Sequence, residues 1–382
     1  MTLQTSKKIA ILAGEASGDL HGGELIKTLQ RLHPTWQFMG IGGKNMQEAG
    51  VNTIVDASEL STMGAIEIIS RLGAIVGAFT KMVRLLKTEK PDLLILIDFP
   101  EFNLRIAKKA KKLGIKILYY ISPQIWAWRK GRVKIIKKFV DHMAVVFPFE
   151  VDFYKKSNVP VTFVGHPLID VVHPFLSKEQ AFDYFEIDKT KNPVIGLLPG
   201  SRHSEIERLL PIILTTAENL QKKYSNANFI LPLASTLKLS EIQFYLKKFP
   251  NLKIHVTQSR TYDALQLCDV AIAASGTIML ELALLKIPSI AIYRLTPLSY
   301  FIGKLLIDVP FITLCNHIAY KKIIPELIQN DANPQRITFE VCKILENPDY
   351  KNKMQQELGE VKAILGLAGA NQKLAELIDS MI

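Results

Sequence analysis

Cysteine is scarce in this chain of 382 residues: Cys268, Cys315 and Cys342 stand far apart and form no C-x-x-C pair. An odd, scattered set builds neither a disulfide framework nor a cysteine zinc site, and it suits a reducing cytoplasm. No apolar run approaches the ~20 residues that cross a bilayer. The longest, such as LLILI before Asp98, are strand-sized. The apolar stretch after Lys7 and Lys8 stops at Glu15, as expected of a first strand rather than a signal peptide. The chain has no G-x-x-x-x-G-K-[ST], which excludes a P-loop NTPase. It also has no D-x-D, the pair through which many sugar transferases hold a diphosphate by way of a divalent metal. The spacing of His21, His166 and His317 supports no metal site, so no metal and no cofactor are expected, and their roles stay open. Acid is missing from Arg105 to Lys138, a stretch with twelve basic residues.

That stretch explains an uneven net charge of +11. Residues 1–170 hold 24 Lys and Arg against 15 Asp and Glu, and residues 171–382 hold 23 against 21. Throughout, short apolar runs alternate with amphipathic stretches of helical length, the pattern of a mostly parallel sheet with helices on both faces. Strands are expected at Ile9–Ala13, Gln37–Ile41, Leu93–Ile97, Lys116–Ile121, Ala144–Phe147 and Val161–Val164. A second set is expected at Val194–Leu198, Asn228–Leu233, Lys253–Val256, Val270–Ala274 and Ser289–Tyr293. The alternation pauses in the polar segment 171–192. The fold class is therefore α/β, with two tandem Rossmann-like lobes, residues 1–170 and 193–345, a linker at 171–192, and C-terminal helices over 346–382.

In such sheets ligands bind beyond the carboxyl ends of the strands. In the second lobe VIGLL leads into Leu198-Pro199-Gly200-Ser201-Arg202, a glycine turn with an arginine able to grip phosphate in bidentate fashion. VAIAA leads into Ser275-Gly276-Thr277 and the helix IMLELALL, whose first amides and partial positive charge suit an anion. Glu281, one helical turn on, can accept hydrogen bonds from a ribose diol. Either loop alone could be a plain turn or a helix cap. Together, with the carboxylate behind them, they favour a nucleoside diphosphate held without metal.

In the first lobe, KIAIL runs into Gly14-Glu15-Ala16-Ser17-Gly18-Asp19. The acids make this glycine loop a poor phosphate cradle, so Gly14, Glu15, Ser17 and Gly18 are assigned to an acceptor sugar, with Ser17 and Asp19 able instead to cap the first helix. Asp98, directly after LLILI and followed by Glu101, stands where a general base should stand, or caps the next helix. The basic block interleaves Trp126 and Trp128 with Arg129 and Arg132, and Leu72 to Leu86, including Phe79 and Met82, is apolar almost all round. Leu298–Ile307 is a second stretch of that kind. These features favour an anionic membrane surface over nucleic acid, for which no RNP aromatic motif is present.

In this order, AGEASGD, GIGG, MGAIEII, ISPQIWAWR, FPFE, GHPL, LLPGSR and ASGT…E resemble the lipid-A-disaccharide synthases over nearly the whole chain. The resemblance implies a glycosyltransferase B-type fold whose last helices cross back to the first lobe. It implies inverting transfer of 2,3-diacylglucosamine from UDP to 2,3-diacylglucosamine 1-phosphate, giving a β-1,6-linked disaccharide and UDP. It also implies catalytic roles for Asp98, Arg202 and Asn316, peripheral association with the cytoplasmic face of the inner membrane, and room for a homodimer. The sequence departs from the family at Phe99, where alanine is common, and at Cys315, where proline is common. Two other readings share some of these features: a UDP-sugar 2-epimerase of the same fold, and a non-catalytic basic module binding RNA or membrane.

Overall fold

The computed structural model describes residues 6–57, 60, 65–123, 125, 130–234, 236–296, 300–301 and 310–382, without the side chains of 65–72 and 130. The chain folds into two compact units, Met1–Pro167 with Leu367–Ile382, and Leu168–Gly366.

The first unit is built on seven strands: β1 (Lys8–Ala13), β2 (Gln37–Gly42), β3 (Asn52–Asp56), β4 (Leu93–Ile97), β5 (Lys116–Tyr120), β6 (His142–Val145) and β7 (Val161–Phe163). All neighbours pair in parallel, in the order β3-β2-β1-β4-β5-β6-β7. The apolar runs are continuous because helices cover both faces of the sheet; every residue of β4 is buried. The order reverses between β1 and β4, so the segments leaving these two strands open a gap at their carboxyl ends. Glu15 and Asp98 stand in that gap.

The second unit repeats the design with six strands, β8 (Val194–Leu198), β9 (Asn228–Pro232), β10 (Ile254–Thr257), β11 (Val270–Ala274), β12 (Ser289–Tyr293) and β13 (Glu326–Ile328). Their order is β10-β9-β8-β11-β12-β13, and the reversal falls between β8 and β11. The two loops singled out in the second half of the sequence follow these two strands.

Two strands, β3 and β13, escaped the sequence reading. Both are edge strands with part-exposed residues, so neither shows the solid apolar run of an interior strand. Residues 171–192, expected as a linker, belong to the second unit and carry a helix, Lys178–Tyr184, closed by a Ser177/Gln180 capping box. The C-terminal helices also part company. Pro348–Ile364 buries Met354, Leu358 and Val361 within the second unit, where Lys351 pairs with Asp269 at 3.0 Å. Only the stretch from Leu367 belongs to the first unit. There Ala370–Met381 packs on α1 (Ala16–Leu32), with His33 Nε2 2.8 Å from Asp379 and Lys116 bonded to the Met381 carbonyl.

Asp19 does not cap α1. Its buried carboxylate accepts hydrogen bonds from the backbone N–H groups of Gly43 (2.6 Å), Asn45 (3.0 Å) and Met46 (3.1 Å) and from the Asn45 amide. It caps α2 (Lys44–Glu48), 24 or more residues downstream. Asp19→Ala would orphan three backbone donors in a buried place. The expected cost is about 3 kcal/mol, read as a lowered urea midpoint for the first unit.

Candidate active site

The second unit carries a cavity of about 610 Å³ beyond β8 and β11, lined by both loops. Gly200 sits at φ +113°, and a Cβ there would lie 2.2 Å from Glu205 Oε2, so only glycine fits the turn. Glu205, in the first turn of the helix His203–Lys223, accepts the Ser201 backbone N–H at 2.9 Å and lies 3.4 Å from Arg202 Nη1. The Ser201 amide is therefore already occupied. Arg202 remains 44% exposed on the cavity wall, with nitrogens to spare for an anion.

On the other loop the Ser275 N–H donates to Ile292 O at 2.9 Å, an extension of the sheet ladder, so it too is unavailable to a ligand. Among the described residues no such bond occupies the N–H groups of Gly276 and Thr277, and nothing lies within 4 Å of where a Gly276 Cβ would be. The groups open to an anion are thus fewer than the sequence suggested: Arg202 and the Gly276 and Thr277 amides, at the start of a seven-residue helix, Ile278–Leu284. Glu281 of that helix faces the same cavity. Burial pushes its carboxyl up to about 7, against a hydrogen bond from Tyr262. A half-neutral carboxyl that both donates and accepts suits a vicinal diol.

In the first unit Asp98 and Phe99 adopt consecutive left-handed conformations, φ 43° and 45°. Such backbone costs about 1–3 kcal/mol per residue unless its surroundings impose it. Here they do. The Asp98 carbonyl receives the Asn103 amide at 2.6 Å and the Tyr119 hydroxyl at 2.5 Å, while the same Asn103 group donates to Ile97 O at 3.1 Å. The turn leaves the Asp98 carboxyl largely desolvated. Burial and then the nearby Glu15 charge push it up to about 7, against the pull of the Phe99 amide. Glu15 is the N-cap of α1 but its side chain makes no cap bond. Phe99 packs over Gly14, where a Cβ would fall 2.3 Å from the ring. Gly14 therefore serves the phenyl group, and Gly18 serves close packing on Ala13 and Ile97. Ser17 is exposed on α1 and Glu101 pairs with Arg132.

Other site residues move to structural roles. Asn316 is fully buried. Its carbonyl oxygen accepts from Ile323 N (2.7 Å) and Ile324 N (3.0 Å), and its amide donates to Ile324 O (2.9 Å) and Glu326 (2.8 Å). With its side-chain polar atoms engaged in this way, it fastens the segment from Ile323 to Glu326. Glu326 completes the network through Ile312 N, Thr313 N and the Thr313 hydroxyl. Next to it Cys315, in place of the common proline, donates its thiol to Met279 O at 3.1 Å. Burial holds His21 down to about 4 and His166 to about 3, so both are neutral packed rings.

The membrane-facing set also divides. Met82, on α3 (Ala65–Glu89), is fully buried in the core, and Phe79 is half-buried with its ring 5.9 Å from Phe102, so neither presents a free apolar face. They point inward because their turn of α3 packs against α4 (Pro100–Lys112) and β3. Arg132 is 10% exposed and paired with Glu101. Trp126, Trp128 and Arg129 lie outside the described residues, as does nearly all of 298–307. Among the described side chains of α3, Val76, 60% exposed between Gly73 and Gly77, is the large apolar one left exposed. No helix among the described residues is long and apolar enough to cross a membrane. Among them no group of three His, Cys, Asp or Glu side chains is placed to hold a metal ion.

Sequence reasoning missed Tyr262, Arg260 and Phe175, which line the same cavity. Phe175 lies in the segment expected as a linker and Arg260 and Tyr262 lie between two expected strands, and only the fold brings these segments to the cavity beyond β8 and β11.

A profile described as lipid-A-disaccharide synthetase matches residues 9–378. The chain is 48% identical over 382 residues to the lipid-A-disaccharide synthase of Geobacter sulfurreducens, covering all of this chain and 99% of that one. It is 48% identical over 374 residues to that of Nitrosococcus oceani, covering 98% and 96%. Among solved structures, a UDP-GlcNAc 2-epimerase from Neisseria meningitidis bound to UDP-GlcNAc superposes with TM-score 0.68 at 15% identity, covering 98% of this chain and all of that one. The glycosyltransferase of kitacinnamycin superposes with TM-score 0.65 at 14% identity over both full chains. At such identities the structural likeness speaks for the fold alone.

If Asn316 is a loop-positioning residue, Asn316→Asp sets a second carboxylate against Glu326. The thermal midpoint should fall by roughly 5–10 °C, the scale of about 2–3 kcal/mol in a unit of this size. Lost activity at an unchanged midpoint would instead make Asn316 a substrate contact.

Proposed function

The chain belongs to the lipid-A-disaccharide synthetase family, and we propose that its two units divide the labour of one inverting glycosyl transfer. The protein is a glycosyltransferase. It moves 2,3-diacylglucosamine from UDP to 2,3-diacylglucosamine 1-phosphate, forming the β-1,6-linked disaccharide and releasing UDP. The epimerase reading shares the fold but not the sequence, at 15% identity against 48% for the named synthases.

The observation that carries the mechanism is the Asp98 carboxyl, poised near neutrality on a strained turn at the switch point of its sheet. A general base works best with a pKa near the working pH. Asp98 takes the proton of the acceptor's 6-hydroxyl as that oxygen bonds to the donor's anomeric carbon. The bond from that carbon to the diphosphate breaks in the same displacement, and configuration inverts. Arg202 and the Gly276 and Thr277 amides take up the charge growing on the departing UDP, and Glu281 holds its ribose. The site needs no metal on this reading, because a guanidinium and amides meet the diphosphate charge. Turnover in EDTA should equal turnover without it; loss of turnover would bring a divalent cation into the mechanism.

The lipid substrates require the protein to meet a membrane surface, on this proposal at the cytoplasmic face of the inner membrane. The exposed Val76 face of α3 and the lysine-rich surface of residues 105–138 support peripheral attachment.

Asp98→Asn should keep UDP affinity and lower kcat by roughly 10²–10⁴-fold. The wild-type kcat, with both substrates saturating, should rise with pH through about 7, because only the ionised carboxylate accepts a proton. Glu15→Gln removes a charge that raises the Asp98 pKa, so the same limb should move to lower pH. A limb that stays put in Glu15→Gln and persists in Asp98→Asn would assign it to another group.

A further inference from the structure

Phe175 departs from the usual economy of the second unit. It is a large apolar side chain, 74% exposed, on the wall of the nucleotide cavity. Its main chain is nevertheless firmly held. Asp263, 0% exposed, accepts the Phe175 N–H at 2.7 Å and the Leu176 N–H at 2.8 Å on one oxygen. Gln266 donates to Leu176 O at 3.0 Å. The His173 ring stands 4.9 Å from the phenyl at 59°. Burying a carboxylate is costly unless it is well bonded, and this one is used to fix the backbone beneath an exposed ring. The same aspartate lies 3.5 Å from Arg260 Nη1, and Arg260 and Thr261 line the cavity beside Phe175.

The cavity's polar groups give it a direction. Arg202 and the Gly276 and Thr277 amides mark a phosphate end. Glu281, hydrogen-bonded by Tyr262, marks the ribose. Tyr262 leads along its own short helix, Thr261–Leu265, to Arg260 and, through Asp263, to Phe175. We infer that Phe175 is the stacking platform for the nucleobase of the donor and that Asp263 is the positioning residue that presents it. The inference rests on the nucleotide reading of this cavity and adds to it the group that recognises the base. A phenyl face offers a flat apolar surface to any base, and an exposed ring that gains a stacked partner recovers the cost of its exposure.

Titration calorimetry with UDP and with inorganic pyrophosphate separates the base from the phosphates. Phe175→Ala should weaken UDP about tenfold, within the range for loss of one base–aromatic stack, and leave pyrophosphate unchanged. Phe175→Tyr should stay within about twofold of wild type. Asp263→Ala should weaken UDP to a similar degree, with no further loss in the double variant, whereas Asp263→Asn, which keeps the accepting oxygen, should largely retain affinity. UDP binding that depends on Arg202 but ignores Phe175→Ala sinks the inference and spares the cavity reading. Equal weakening of pyrophosphate and UDP by Phe175→Ala also overturns it. No UDP binding by the intact chain would overturn both.

Discussion

A topological constraint governs where chemistry occurs in this protein. A parallel sheet fed by right-handed crossovers must split its connections where the strand order reverses. In the first unit that place is β1/β4 and in the second it is β8/β11. At each reversal two chain segments leave adjacent strands in opposite directions, and a gap lined by strand-end residues is left. Asp98 and Glu15 occupy one such gap; Arg202, Gly276 and Glu281 surround the other. The groups assigned to the proposed chemistry are at these positions because the backbone leaves them open.

Once the gaps exist, their loops need support, and the protein supplies it with buried or half-buried carboxylates. Asp19 ties Gly43 to Met46, Asp263 ties Phe175 and Leu176, Glu326 ties Ile312 and Thr313, and Glu205 ties Ser201. Each accepts from backbone N–H groups, a strong bond for an ionised acceptor. Asp98 and Glu281 differ. Each is pushed up to about 7 by burial that its hydrogen bonds do not offset. A carboxylate saturated by amides is a fastener, and one left short of donors can exchange a proton or a hydroxyl. That difference sorts the acids of this chain into structural and chemical ones more sharply than their positions in sequence do.

The departures from the family pattern are absorbed locally. Phe99 is accommodated because residue 14 has no Cβ, so the larger ring lies over Gly14 and beside Phe102, 5.8 Å away. Cys315 gives up the stiffness of proline but restores a tether through its thiol to Met279 O. That bond joins the short helix Leu314–Ala319 to the helix Ile278–Leu284 beside the second unit's cavity. Both changes alter how a local segment is held and leave Asp98 and Asn316 in place.

The interior strands, the α/β class and the strand-end places of Asp98, Arg202 and Gly276 were legible in the sequence because they rest on local properties. An unbroken apolar run reports burial on both faces, and a polar residue directly after it must lie at the strand's carboxyl end. The short edge strands β3 and β13 were not legible, although the equally part-exposed edge strands β7 and β10 were, because partial exposure leaves only a weak apolar signal. Nor was the work of Asp19, whose partners lie 24 to 27 residues on, or of Asp263, which holds residues 87 and 88 positions upstream. The saturation of Asn316, the loss of the Ser201 and Ser275 amides to Glu205 and Ile292, and the inward turn of Met82 were likewise decided by tertiary structure. The residue type sets which hydrogen bonds a side chain can make, but only the folded register of distant segments sets which ones it has already made.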